Sequence, residues 1–221
     1  MATQKRAARD GDLSFDLEGG AVRGVRFGGV EVVRMIDYPI RDASWRTLAV
    51  EEIAEERSPE YGLRRRFRSG DGAFRGAFEL QAGQDGDVAR VEARLELVAE
   101  RDVEVNRAGF VLLHPVAGVA GAPLEATHAD GSREATAFPE LISPGQLVVD
   151  IVGLRHRVGP VEVAIEMEGE VFEMEDQRNW TDASYKTYCR PLSLPRPYLL
   201  AAGDVVRQRI VVTLTRGAAG A

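Results

Sequence analysis

The sequence has few of the residues that build metal centres and disulfide frameworks. It contains one cysteine, Cys189, and three histidines in 221 residues. A single cysteine excludes an internal disulfide, and histidines this dispersed do not indicate a zinc site. Phosphate-loop, dinucleotide-binding and nucleophile-elbow motifs are also missing. We therefore expect no metal and no cofactor, and we interpret Cys189 as an inert packing residue because no histidine adjoins it.

Long apolar runs and an excess of positive charge are missing as well. No stretch approaches the roughly 18 apolar residues of a membrane-spanning helix. The N-terminus, MATQKRAARDGD, is charged and lacks the apolar core of a secretory signal. The formal net charge of −7 argues against general binding to nucleic acid. The expectation is a cytoplasmic protein with neither a nucleic-acid nor a membrane partner.

One basic cluster, LRRRFR, occupies residues 63–68. As a strand it would place Arg64, Arg66 and Arg68 on one face and the two residues between them on the other. The cluster could be a solvated strand face or a binding site for an anionic substrate, and the pattern is compatible with both.

Apolar and polar residues alternate with period two through most of the chain, which predicts half-buried antiparallel strands with one solvated face. The alternation is clearest over residues 90–97, 161–168 and 206–214. Further predicted strands cover residues 13–17, 21–27, 30–35, 48–56, 73–81, 103–113 and 147–155.

Glycine-rich turn signals separate these strands, and Gly28-Gly29 between two apolar runs predicts a hairpin. With no long helix in prospect, the pattern predicts an all-β fold, a large antiparallel β-sandwich or a closed barrel. We expect a frayed tail over residues 1–10, one domain over residues 11–216 and a second tail over residues 217–221. Residues 115–145 are the longest stretch without a strand signal, and long loops are often functional.

The segment FEMEDQRNWTDASYKTY, residues 172–188, differs from the rest of the chain because polar and aromatic residues are interleaved in it. Such a mixture suits a sugar or a sugar acid: aromatic rings cover the apolar face of the sugar, and charged groups bind its hydroxyls or carboxylate. Glu175 and Asp176 are candidate general bases. The candidate substrate-binding residues are Arg178, Asn179, Trp180, Asp182, Lys186 and Tyr188. The alternative is a loop held by an internal ion-pair network.

His114 ends the apolar run FVLLHP, where a histidine could shuttle protons. The alternative is a partly buried structural histidine. His128 and His156 carry no comparable signal.

The long polar segment, followed by PLSLP, resembles a signature in the N-terminal domain of D-apionate lactonase-type proteins. RAGFVLLHP (residues 107–115) and FPELISPGQ (residues 138–146) fit the same comparison. The resemblance spans most of the chain. It implies a β-supersandwich similar to galactose mutarotase and aldose epimerase domains, and a link to branched-sugar acids whose lactone the lactonase opens.

The family proteins continue into a TIM-like barrel and a further β domain that this chain does not include. The resemblance therefore implies either a free-standing paralogue, with a small sugar or sugar acid as its partner, or one subunit of a split assembly that also binds a separate TIM-barrel subunit. Mutarotase-like domains place a histidine and a carboxylate at the mouth of a concave sheet. His114 with Glu175 or Asp176 would be the nearest equivalents here, by analogy of fold.

Three hypotheses follow from the residues and the resemblance. The first is an enzyme acting on a sugar, a sugar acid or its lactone, with Glu175 or Asp176 as general base, His114 as general acid and Arg178 as anion anchor. The second is a non-catalytic domain that binds a carbohydrate or a subunit. The third is a purely structural role for the polar segment, as a buried network of ion pairs.

Overall fold

The computed structural model describes residues 5–58, 62–179 and 183–217. The described residues form strands and connecting turns, which confirms the all-β prediction, and none of them forms a helix that could span a bilayer. The strands are β1 (Lys5–Asp10), β2 (Leu13–Glu18), β3 (Ala21–Phe27), β4 (Val30–Asp37), β5 (Ile40–Asp42), β6 (Val50–Ser58), β7 (Gly62–Ser69), β8 (Phe74–Asp85), β9 (Val88–Ala99), β10 (Val103–Ala108), β11 (Val111–His114), β12 (Pro123–His128), β13 (Arg133–Ala137), β14 (Gln146–Val158), β15 (Val161–Glu168), β16 (Phe172–Asp176), β17 (Tyr185–Tyr188), β18 (Tyr198–Leu200) and β19 (Val205–Arg216).

Sixteen of these strands form one antiparallel sheet. Its order is β1-β2-β3-β4-β11-β17-β16-β14-β15-β19-β9-β8-β7-β6, with the β12–β13 hairpin attached to β14. The sheet folds back on itself: Tyr38, which follows β4, stacks on Phe67 of β7 and Phe78 of β8 at ring-centroid distances of 5.2 and 4.9 Å. We call the half from β1 to β16 the first layer and the half from β15 to β6 the second layer.

Strand β14 joins the two layers. Its first half, Gln146 to Ile151, pairs with β16, and its second half, from Gly153 to Val158, pairs with β15. Near the end of the first half, between Val148 and Ile151, the register shifts and Asp150 adopts a positive φ of 56°. This bulge re-aims the strand, as bulges do elsewhere in strongly curved sheets.

A single large apolar core fills the space between the layers, with residues such as Val22, Ile36 and Leu112 from the first and Phe78 and Val163 from the second. The side of the first layer that faces this core is its inner face, and the opposite side is its outer face. A small separate apolar cluster lies on the outer face, formed by Ala21, Met35, Val111, Leu113 and Tyr188.

The expected N-terminal tail is wrong for residues 5–10, which form β1. This strand is exposed on both faces, so it lacks the apolar alternation that would reveal it in the sequence. Polar contacts hold it instead: Lys5 pairs with Asp16 at 3.1 Å, and Asp10 accepts a hydrogen bond from the backbone N–H of Gln84 at 2.9 Å.

The long irregular stretch expected over residues 115–145 is also partly wrong, because it contains the β12–β13 hairpin. Strand β13 is mostly exposed and polar, so its sequence carries little strand signal.

The predicted strand over residues 103–113 is divided in two by Gly109. This glycine has a φ of 145°, and a Cβ there would lie 2.4 Å from the Gln208 side chain. Strand β10 before it belongs to a three-stranded sheet with β5 and β18, whereas β11 after it belongs to the large sheet. The division matters because it turns β10 over the outer face of the first layer.

The basic cluster of β7 has the predicted two faces. Arg64, Arg66 and Arg68 are exposed, while Arg65 and Phe67 are buried. The exposed arginines pair across the strands with Glu79, Glu56 and Glu51 respectively. The cluster is therefore a solvated face stabilised by cross-strand ion pairs, and these arginines are occupied.

Candidate functional site

The register of β11, β17 and β16 assigns the polar residues to opposite faces of the first layer. Directly paired residues of an antiparallel sheet point to the same face. Leu113, Lys186 and Glu175 are paired in one row, and His114, Tyr185 and Asp176 in the next. The first row lies on the outer face and the second on the inner face.

On the outer face, Glu175 and its neighbours form a hydrogen-bonded cluster. Nζ of Lys186 donates to Oε1 of Glu175 at 2.8 Å, and the Tyr188 hydroxyl lies 3.2 Å from Oε2. The same hydroxyl donates to Glu173 at 2.5 Å. Glu173 is buried and also accepts the backbone N–H of Leu192. The side chain of Glu175 keeps 26% of its surface exposed, so it is the carboxylate of this cluster that a ligand can reach.

Burial shifts the pKa of two of these groups. It raises the pKa of the Tyr188 phenol, and the neighbouring carboxylates of Glu173 and Glu175 raise it further. It lowers the pKa of the Lys186 ammonium, with Arg107 and Arg41 adding to the effect and Glu175 opposing it. Tyr188 therefore stays a proton donor, and Lys186 releases its proton more readily than an exposed lysine.

Two arginines and a tryptophan from the small sheet and its turn cover this cluster. The guanidinium of Arg107 lies 3.9 Å from the centroid of the Tyr188 ring and 5.8 Å from that of Trp45. Arg41 is paired directly with Arg107 across β5 and β10. The turn that carries Trp45 is fixed by Asn106, whose side-chain amide donates to the carbonyls of Asp42 and Ala43.

His114 does not join the outer cluster. Its side chain is fully buried on the inner face, with Nε2 2.8 Å from Oγ1 of Thr187. Its ring lies near Phe138 and His156, at 5.7 and 5.6 Å between centroids. Burial and then the proximity of His156 hold the pKa of His114 well below its ordinary value. The expected pairing of His114 with Glu175 as acid and base is therefore wrong, because the sheet stands between them.

Asp176 and Arg178 form a closed pair with structural partners. Nε of Arg178 donates to Asp176 at 2.9 Å and Nη2 at 2.6 Å, and the remaining donors reach the carbonyls of Pro139 and Glu140. The backbone N–H of Ser143 also donates to Asp176. Although burial opposes ionisation, these hydrogen bonds hold the pKa of Asp176 below its ordinary value. The geometry leaves Asp176 no role as a base and engages most of the N–H groups of Arg178 with acceptors of the protein.

This pair braces the loop of residues 138–145, which Tyr185 also holds through a 2.6 Å hydrogen bond to the carbonyl of Pro139. The loop presents Leu141 and Ile142 to solvent, 84% and 50% exposed. The ion-pair alternative for the polar segment thus describes its inner-face residues, whereas Glu175, Lys186 and Tyr188 belong to the outer cluster. Asn179 is exposed at the end of the described segment, and Trp180 and Asp182 lie outside the described residues.

The sequence analysis did not single out Arg41, Trp45 or Arg107 as site residues. Arg107 begins the string RAGFVLLHP, so a signal for it was present. Arg41 and Trp45 have none, because only the turn of the chain at Gly109 brings the small sheet over the outer face. In the described part of the chain, no three His, Cys, Asp or Glu side chains are grouped as metal ligands would be.

Comparison with known proteins identifies the relatives of this chain. Residues 1–217 match the family described as D-apionate lactonase, N-terminal domain. The D-apionate lactonase of Brucella anthropi is 40% identical over 215 residues, which cover 93% of this chain and 34% of that protein. The chain thus spans about a third of the length of this curated relative.

Two solved structures are similar to the whole chain. The candidate aldose 1-epimerase of Escherichia coli aligns with a TM-score of 0.58 and 9% identity, covering 97% of this chain and all of that one. A Synechocystis protein aligns with a TM-score of 0.60 and 11% identity, covering 96% of each chain. At these identities the likeness concerns the fold, and it confirms the expected mutarotase-like β-sandwich.

Proposed function

Because the chain belongs to the D-apionate lactonase N-terminal domain family, we propose that its outer cluster binds a sugar acid or the lactone of one. The cluster comprises Glu175, Lys186 and Tyr188, with Trp45 and Arg107 above them. The observation that carries the proposal is the partly exposed Glu175 carboxylate, held by Lys186 at 2.8 Å beside buried cationic groups.

The chemistry of the cluster suits a lactone and its open acid. Glu175 can accept a proton from a sugar hydroxyl or from water. Trp45, 42% exposed, offers an aromatic face to the apolar side of a sugar. The Lys186 ammonium can stabilise negative charge on a carbonyl oxygen.

A hydrolytic step can be written with these residues alone. Water attacks the lactone carbonyl carbon while Glu175 takes the water proton, and Lys186 stabilises the oxyanion. When the tetrahedral intermediate collapses, the bond from the carbonyl carbon to the ring oxygen breaks. The ring oxygen leaves as an alkoxide and takes the proton that Glu175 had accepted from water, which yields the hydroxy acid. In this scheme Glu175, and not Asp176, is the general base. Lys186, and not Arg178, stabilises the oxyanion.

The test is to incubate the purified chain with a panel of aldonolactones and free sugars. Lactone opening is followed by proton release, anomer exchange by NMR, and binding by calorimetry. We expect Glu175→Gln to lower binding or turnover about tenfold or more, in line with the loss of one charged hydrogen bond. Glu79→Gln, a carboxylate of the second layer paired with Arg64, is the matched control and should change neither. Absence of both binding and turnover across the panel would sink the proposal.

A second candidate function is subunit binding through the loop of residues 138–145. The observation that favours it is the fixed backbone of this loop beneath two exposed apolar side chains, since rigid exposed apolar groups are typical of interfaces. The partner would be the TIM-barrel part that the family resemblance implies. Mixing this chain with the remaining two thirds of the Brucella protein, made as a separate chain, tests this. Leu141→Ser should weaken complex formation in gel filtration, whereas Ile53→Ser, 61% exposed on β6, should not.

A further inference from the structure

Arg107 is a buried cation that has aromatic contacts but no ion-pair partner among the described residues. Only 6% of its surface is exposed, its Nε is buried without a hydrogen bond, and no carboxylate of the described residues forms an ion pair with it. Its guanidinium carbon lies 3.9 Å from the centroid of the Tyr188 ring and 5.8 Å from that of Trp45. Burying an arginine costs several kcal/mol unless a charge or hydrogen-bond acceptor compensates it. A buried donor without an acceptor needs a physical explanation, and a bound anion that pairs with it is one.

Arg41 adds a second positive charge next to that of Arg107. It is the direct cross-strand partner of Arg107, and like charges at paired positions destabilise a sheet. Within the described residues its hydrogen bond goes to the carbonyl of Trp45 at 3.2 Å, not to a carboxylate. The two arginines disfavour further positive charge near them. Both lower the pKa of Lys186, and Arg41 lowers the pKa of Arg107 in addition to the effect of burial.

We propose that Arg41 and Arg107 form an anion site that binds the carboxylate of a sugar acid. The inference rests on the proposed function, because it places the carboxylate of the same ligand whose hydroxyls or lactone carbonyl meet Glu175 and Lys186. A carboxylate between two guanidiniums satisfies both charges, and guanidinium groups bind carboxylates with paired, charge-assisted hydrogen bonds.

The surrounding charges favour a monoanion over a phosphate. Glu173 and Glu175 lie on the outer face of the first layer. Burial raises the pKa of the Asp37 carboxyl group, and the positive charge of Arg41 opposes this rise. These carboxylates already offset part of the positive charge of Arg41, Arg107 and Lys186. They would therefore repel a dianion more strongly than a singly charged carboxylate. The Tyr188 ring, 3.9 Å from the Arg107 guanidinium, covers part of it, and a planar carboxylate can bind the N–H groups at its edge.

The experiment compares D-gluconate with sorbitol, which has the same carbon chain and hydroxyls but no carboxylate. Binding to the whole chain is measured by calorimetry and by fluorescence in a Trp180→Phe background, which leaves Trp45 as the only tryptophan. We expect gluconate to bind at least tenfold more tightly than sorbitol and to change the Trp45 emission. Arg107→Met and Arg41→Met should each weaken gluconate at least tenfold, the loss of one charge-assisted contact. Arg64→Met, an exposed arginine of the second layer, should leave it unchanged.

Arg41 is half-buried, so Arg41→Met keeps the test valid if Arg107→Met fails to fold. Equal affinities for gluconate and sorbitol, or gluconate binding that survives both substitutions, would overturn the anion site. Acetate bound as tightly as gluconate, with the same dependence on the two arginines, would uphold the anion site but refute the sugar-acid function. Sorbitol binding that requires Glu175, with no preference for a carboxylate, would uphold the sugar function and overturn the anion site.

Discussion

Lys186 donates a hydrogen bond to Glu175 at 2.8 Å from the directly paired position of the neighbouring strand. Both side chains are mostly buried, so the pair fixes the orientation of the Glu175 carboxylate, which keeps part of its surface exposed to solvent. The chain has only one other lysine, Lys5, which lies 63% exposed at the edge of the sheet. The two lysines therefore form a natural comparison.

We expect Lys186→Met to weaken D-gluconate binding about tenfold, because Glu175 loses its charged partner and the ligand loses a cation. Lys5→Met should leave binding unchanged. Calorimetric titration measures both, and thermal melting shows whether the fold is kept. Equal affinity in the two variants would remove Lys186 from the site.

Asp176→Asn should lower stability rather than binding. The amide cannot accept both Arg178 bonds, and it leaves the guanidinium against the carbonyls of Pro139 and Glu140 without its counter-ion. A loss of about 2–3 kcal/mol is typical of breaking such a buried pair. Urea unfolding measures it.

The matched control is Glu162→Gln, because Glu162 and Arg157 form a pair 3.7 Å apart with both side chains 58% exposed. We expect its effect to stay within about 0.5 kcal/mol. Should Asp176→Asn be as stable as this control, the pair would have no bracing role.

His156 should make the protein acid-sensitive. Burial lowers the pKa of His156 to about 4, whereas an unfolded histidine has a pKa near 6.5. The folded state therefore binds fewer protons than the unfolded state between these values. The contribution of neutral His156 to the free energy of unfolding is complete above pH 6.5. It is lost as the pH falls, and the loss reaches about 3 kcal/mol at pH 4.

We expect His156→Phe to flatten this decline. Both ring nitrogens of His156 are buried without hydrogen-bond partners among the described residues, and its ring contacts Phe138. Phenylalanine fills similar space without a proton to bind. Melting temperatures of both proteins from pH 8 to pH 4 test the prediction, and parallel curves would contradict it.

Cys189 should resist thiol reagents in the folded protein. Burial raises the pKa of this thiol to about 12. At pH 8 about one molecule in ten thousand then carries the thiolate, and the side chain is 1% exposed. We expect the rate of labelling by a disulfide reagent to follow unfolding and to become rapid in urea. Fast stoichiometric labelling of the native protein would show that the segment around Cys189 opens.

The fold was largely predictable because a half-buried strand shows an alternation of apolar and polar residues in the sequence. The strand over residues 21–27 and the Gly28-Gly29 hairpin are confirmed, and the strand predicted over residues 48–56 corresponds to β6. Strands β1 and β13 could not be found in this way, because both are exposed and their order comes from pairing with a neighbour.

The candidate site was less predictable, because residues adjacent in sequence separate to opposite faces. Glu175 and Asp176 look alike as candidate bases, yet one faces the ligand side and the other the core. Their difference depends on the register of β16 against β17, which is a property of the folded sheet. Arg41 enters the candidate site through the small sheet, from a segment that is distant in sequence from the polar residues 172–188.

Strand β14 has a consequence for how the molecule comes apart. Because this one segment hydrogen-bonds to β16 in the first layer and to β15 in the second, the two layers share a continuous backbone ladder. Neither layer can peel away without rupturing it. Amide protons in the second half of β14 should therefore exchange with deuterium only through global opening, at the same free energy as those of β15. We therefore expect the sandwich to unfold as one cooperative unit.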